Sequence, residues 1–102
     1  MENKAVWLGY SFEILTAEAD WNPIAGIYIF CGKNRENIWT PFYIGQASSF
    51  SERLSGHDRW EEAVNLGATH IHAKVVKNQT DRHTIETKLI QSLQPRLNTQ
   101  LR

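Results

Sequence analysis

Two apolar runs separated by a polar turn leave this chain little alternative to a β-hairpin. Ile24 to Cys31 reads Ile-Ala-Gly-Ile-Tyr-Ile-Phe-Cys, and Ile38 to Gly45 reads Ile-Trp-Thr-Pro-Phe-Tyr-Ile-Gly. Between them lies Gly32-Lys33-Asn34-Arg35-Glu36-Asn37, a stretch rich in turn formers. Side chains alternate faces along a strand, so Ile27, Ile29 and Cys31 share one face, and Tyr28 and Phe30 the other. Pro41 cannot donate to a ladder and predicts an edge position or a bulge on the second arm. The triplets Gly26-Ile27-Tyr28 and Tyr43-Ile44-Gly45 are nearly mirror images. Pairing the two strands would bring both phenols to one surface, with a glycine beside each to permit close approach.

The flanking segments complete an α+β pattern. Val6 to Leu15 predicts a first strand, followed by a polar connection from Asp20 to Pro23. Ser49 and Glu52 fit the capping box of a short helix with Phe50 and Leu54 inward and Gly56 at its close. Asp58 and Glu61 predict a second start, carrying Trp60, Ala63 and Val64 inward and stopping at Gly67. Thr69 to Lys77 alternates as a strand. Thr80 or Asp81 caps a final helix to about Leu93, with Pro95 just beyond. The predicted order is β-β-β-α-α-β-α, a sheet with helices packed against it.

Bulk properties narrow the function classes. The 102 residues suit one domain with a modest core. Eleven basic and eleven acidic residues give zero formal charge, which argues against a large sequence-independent polyanion surface but allows a small basic cleft. Cys31 is the only cysteine, so no intramolecular disulfide forms and a thiolate zinc site is disfavoured. Met1-Glu2-Asn3-Lys4 leads into a short apolar stretch and then Glu13, the pattern of neither a signal peptide nor a membrane span. A cytoplasmic setting is expected, without a membrane.

Several residues could carry chemistry. Arg53 and His57 are four apart and would share a helix face, a fork for a phosphate beside a proton-exchanging imidazole. The plainer alternative is a surface arginine and a helix-terminal histidine that complements the dipole. In the last helix Arg82, Ile85, Leu89, Ile90 and Leu93 form one arc, and Glu86 lies inside it. A carboxylate there is costly unless it pairs with Arg82 or meets a hard divalent cation. His70 and His72 share a strand face, but no further metal ligand declares itself, and two exposed strand histidines is the simpler reading. Trp7, Trp21, Trp39 and Trp60 read as core or edge packing.

Taken in order, Gly26-Ile27-Tyr28, Tyr43-Ile44-Gly45-Gln46, Arg53 with His57, Glu86 and Pro95-Arg96-Leu97-Asn98 resemble the GIY-YIG nuclease superfamily. The resemblance spans residues 24–98. Residues 1–23 form an N-terminal strand and connection of the same domain, and 99–102 a tail. The resemblance implies a small α+β sandwich: a central three-stranded antiparallel sheet, with room for an extra N-terminal strand, flanked by three helices. It implies DNA phosphodiester hydrolysis with one divalent cation, Mg²⁺ or Mn²⁺, and the zero net charge adds the expectation of little intrinsic sequence specificity. On this likeness Tyr28 is the first choice of general base, with Tyr43 assisting. Arg53 would hold the phosphate, His57 would hydrogen-bond a tyrosine, and Glu86 would bind the metal. Gly26, Gly45, Gln46 and Asn98 would support the site. The chain departs from the likeness where Gln46 stands in place of a common lysine. DNA is the expected partner, and a homodimer or targeting partner would compensate for the neutral charge. The competing reading is a catalytically inactive module of the same fold that binds nucleic acid or protein.

Overall fold

The computed structural model describes residues 3–98, so the expected tail lies outside the described residues. Strands β1 (Lys4–Trp7), β2 (Tyr10–Leu15), β3 (Gly26–Lys33) and β4 (Trp39–Ala47) come first. Helices α1 (Phe50–Leu54) and α2 (Trp60–Leu66), strand β5 (His70–Val75) and helix α3 (Gln79–Leu93) follow. All five strands form one antiparallel sheet in the order β1-β2-β5-β3-β4. The sheet therefore has five strands rather than the expected three, and β5, β3 and β4 form one end of it.

The N-terminal segment adds two strands rather than one. Leu8 and Gly9 both take positive φ, 51° and 87°, as the two central residues of a type I′ hairpin turn must. Trp7 consequently pairs with Tyr10, and β2 docks against β5. Pro41 satisfies both sequence expectations, since β4 is an edge strand and its register with β3 shifts between Phe30 and Cys31.

Each sheet face has its own core. Tyr28, Phe30, Ile71 and Ala73 pack with Phe50 and Leu54 of α1 and Ala63 of α2. On the other face, Ile27, Ile29, Cys31 and Ile44 pack with Leu89 and Ile90 of α3, and Trp7 and Phe12 join them. The alternation read from β3 thus sorts its residues between two helical layers. Burying all but its last residue explains why the strand is so continuously apolar.

The helix termini differ from the sequence expectations. Ser49 makes no side-chain cap to α1, bonding instead to the Ser51 hydroxyl at 3.2 Å, so the capping box does not form. Helix α1 has ended by Ser55, one residue before Gly56. Helix α2 begins after Arg59, not Asp58, and ends at Gly67 (φ 120°) as expected. Asn78, rather than Thr80 or Asp81, caps α3 by accepting from the Asp81 amide at 3.0 Å. An asparagine oxygen three residues ahead fits that amide, whereas Asp81 itself lies inside the first turn.

Candidate functional site

The register of β3 and β4 sets where the two tyrosines meet. Tyr28 pairs with Gly45 and Phe30 with Tyr43, so the phenols are diagonal neighbours on one face. Their ring centroids are 6.3 Å apart at an interplanar angle of 34°. A Cβ on Gly45 would collide with the Tyr28 ring and hydroxyl, so this glycine makes the space the phenol fills. Gly26 serves the packing of α1, because a Cβ there would strike the Lys74 carbonyl and the Phe50 ring.

His57 closes over this pair, though not as the sequence implied. Helix α1 has ended before it, so Arg53 and His57 do not share a helix; His57 lies in the α1–α2 connection. Its Nδ1 accepts the Arg59 backbone N–H at 3.0 Å, and its Nε2 lies 2.8 Å from the Tyr28 hydroxyl. A neutral ring that accepts at Nδ1 carries its proton on Nε2, so His57 donates to the Tyr28 oxygen. The ring is neutral at ordinary pH, because burial and then the Arg53 charge push its pKa down to about 4.

The Tyr28 phenol is pushed well above the usual tyrosine range, first by burial, then by Tyr43 and Glu86, with Arg53 pulling the opposite way. That places Arg53 and Glu86 in the electrostatic surroundings of the same hydroxyl. Tyr28 is buried, whereas Tyr43 is only partly so. The Arg53 side chain is 44% exposed and held by a long 3.8 Å contact to Asp58. It lines a cleft of ≈ 330 Å³ together with Gln46, Ser48, Ser49 and Glu52.

Glu86 reaches the site from the opposite layer. Its Oε1 accepts from Gln46 Nε2 at 2.8 Å. Among the described residues it makes no ion pair with Arg82, which donates to the carbonyls of Val76 (3.1 Å) and Lys77 (2.8 Å) instead. Asn98 is buried and serves the strand itself. Its amide accepts from the Ile44 N–H at 2.7 Å and donates to the Ile44 carbonyl at 2.8 Å, fixing the backbone between Tyr43 and Gly45.

The paired histidines of β5 separate. His72 is fully buried, not exposed, because its face meets α3 and the Trp7 and Trp39 rings. His70 is partly buried and bonds to the Thr69 hydroxyl at 2.7 Å. Among the described residues no three His, Cys, Asp or Glu side chains cluster as metal ligands. A cation at this site would have Glu86 as its protein carboxylate. That suits Mg²⁺, which keeps most of its waters and takes one or two carboxylates plus substrate phosphate.

No protein-family model and no curated protein matches the chain. Solved structures do. A point mutant of the GIY-YIG N-terminal endonuclease domain of UvrC from Thermotoga maritima, bound to its catalytic divalent cation, superposes with a TM-score of 0.63 at 25% identity. The same domain bound to magnesium gives 0.63 at 28% identity, and in both cases 78% of this chain and 88% of the other are covered. The chain has the GIY-YIG fold. Within that fold the sequence-predicted residues Tyr28, Tyr43, His57, Arg53, Gln46 and Glu86 come together around the β4 edge. The sequence reading missed the Gln46–Arg82 contact and the Asp58 carboxylate between Arg53 and His57. The signal for the first was already present, as Arg82 lies on the apolar arc with Glu86 and needed a partner.

Proposed function

We propose that the chain is a divalent-metal-dependent DNA endonuclease with little intrinsic sequence specificity, using Mg²⁺ or Mn²⁺. The observation that carries this reading is the convergence on one phenol. The hydroxyl of Tyr28 takes a hydrogen bond from His57 and feels Arg53, Tyr43 and Glu86. A structural role accounts for the buried Tyr28–His57 pair but not for Arg53 and Glu86 beside it, whereas a phosphodiester site uses all of them. The UvrC domains of the same fold, bound to a catalytic divalent cation, support it.

Roles follow from placement. Arg53, exposed at the cleft, would hold the scissile phosphate and offset its charge. Burial pushes Tyr28 away from the ionised form that a base needs, which favours the other phenol for that role. The partly exposed Tyr43, once it has given its own proton to solvent, would instead take the proton from the attacking water as a phenolate. Tyr28, held by His57, would keep its own proton and donate it as a hydrogen bond toward the phosphate or the water. The water oxygen bonds to phosphorus as the P–O bond opposite it breaks. A cation on Glu86 would supply Lewis-acid stabilisation of the leaving oxygen.

Cleavage of supercoiled plasmid with Mg²⁺ tests this. Activity should vanish with EDTA, with Glu86→Gln and with Arg53→Ala, and should fall about 100-fold or more with Tyr43→Phe. If duplex, nicked, branched and single-stranded DNA all survive intact, the binding-module reading replaces the enzyme.

A further inference from the structure

Arg82 and Glu86 are one turn apart on α3, a spacing at which arginine and glutamate ordinarily pair. Here Gln46 from β4 stands between them. Its carboxamide oxygen faces Arg82 Nε at 3.4 Å, and its Nε2 donates to Glu86 Oε1 at 2.8 Å. Arg82 is itself immobilised: it is 7% exposed and donates through Nη1 to the Val76 and Lys77 carbonyls. The network also fixes the amide orientation of Gln46. Turned over, its NH₂ would oppose the guanidinium donor and its oxygen would oppose the carboxylate. Orientation therefore passes in one line from the backbone after β5 to Arg82, from Arg82 to Gln46, and from Gln46 to Glu86.

We infer that Gln46 and Arg82 are positioning residues, a neutral relay that aims the Glu86 carboxylate at a divalent cation without neutralising it. The inference rests on the reading of Glu86 as the protein ligand of that cation. A direct Arg82–Glu86 pair would place a positive charge where the cation must sit. A carboxamide transmits the geometry while carrying no net charge, and it occupies only one carboxylate oxygen. The other oxygen has no hydrogen-bond partner among the described residues.

Mn²⁺ is the probe, added to the intact protein without DNA, with paramagnetic broadening of backbone amide resonances as the readout. In the parent the broadening should centre on Glu86, and Glu86→Gln should abolish it. Gln46→Leu should weaken Mn²⁺ binding about 10-fold or more, within the range of lost outer-shell partners, with little change in Tm. Arg82→Lys should weaken it in the same direction through loss of the guanidinium fork. If Glu86→Gln abolishes binding but Gln46→Leu titrates like the parent, whatever its Tm, the relay is wrong and the cation site stands. If Glu86→Gln binds Mn²⁺ like the parent, the cation site is wrong and the relay falls with it.

Discussion

His57 and His72 are nearly the same histidine placed twice. Both are buried, and both accept an N–H at Nδ1, from the Arg59 backbone at 3.0 Å and from the Trp7 indole at 2.9 Å. Burial is the first cause that pushes each pKa down to about 4, aided by Arg53 at His57 and by His70 at His72. Each therefore carries its proton on Nε2. They differ in what that second nitrogen meets. His57 delivers it to the Tyr28 oxygen, while His72 Nε2 is buried without a hydrogen-bond partner among the described residues, beside Trp39. The same lowered pKa thus serves two ends. One histidine orders a phenol in the candidate site; the other ties β1 to β5 across β2 through an indole. Burial and a lowered pKa do not mark a functional histidine. The partner of its free N–H does.

Acid breaks both at once and gives the largest effect. Between pH 6.5 and about 4 the unfolded chain takes up protons that the folded rings refuse. Stability is therefore full above 6.5 and is lost as pH falls toward 4. Each histidine contributes up to about 3 kcal/mol to that loss. Urea unfolding from pH 7.5 to 4 should show it, and His57→Phe and His72→Phe should each remove roughly half. A double variant with an unchanged pH slope would place the acid sensitivity elsewhere.

Next, His72→Ala should cost about 3 kcal/mol in thermal or urea unfolding, from the lost ring and an orphaned Trp7 indole. Cleavage per folded molecule should stay as in the parent. His57→Phe should do the reverse, lowering cleavage about 100-fold per folded molecule at a smaller stability cost of about 1–2 kcal/mol. The new ring fills the place among Phe30, Tyr43 and Tyr28 but leaves the Tyr28 hydroxyl and Arg59 N–H unpaired. Equal activity losses in both variants would erase the distinction. The smallest effect is Trp7→Phe, expected to cost about 1–2 kcal/mol by leaving His72 Nδ1 unsatisfied. Faster hydrogen exchange confined to β1 and β2 would report it.

Much of the β3–β4 hairpin was legible in the sequence because a period of two sorts side chains without reference to anything distant. Tyr28 and Phe30 on one face, Ile27, Ile29 and Cys31 on the other, and the irregularity at Pro41 all followed from local rules. The stop at Gly67 and the end of α3 at Leu93 were legible for the same reason. The Leu8–Gly9 turn was not, since leucine at positive φ carries no turn signal and the flanking residues read as one run. Nor was the burial of His72, which depends on a tryptophan 65 positions earlier in the chain. His57 was placed on the right surface by the wrong route. A helix face was expected, and a turn held by its own Nδ1 delivers it. For the Gln46 contacts only the need was legible, in Arg82 on the apolar arc; the partner was not, because the contacts join strand to helix through side chains remote in sequence.

The twofold bond between the Asn98 carboxamide and Ile44 has a consequence for assembly. A side-chain amide is a detached copy of a peptide group, so Asn98 acts as a one-residue neighbour strand for β4. The Leu97 N–H extends the imitation by donating to the Phe42 carbonyl at 3.0 Å. The strand that carries Tyr43 can thus be an outer strand, open from the flank, without offering its bonding row to another chain at this point. Accessibility and protection from misassembly, usually opposed at a sheet margin, are reconciled there by one asparagine.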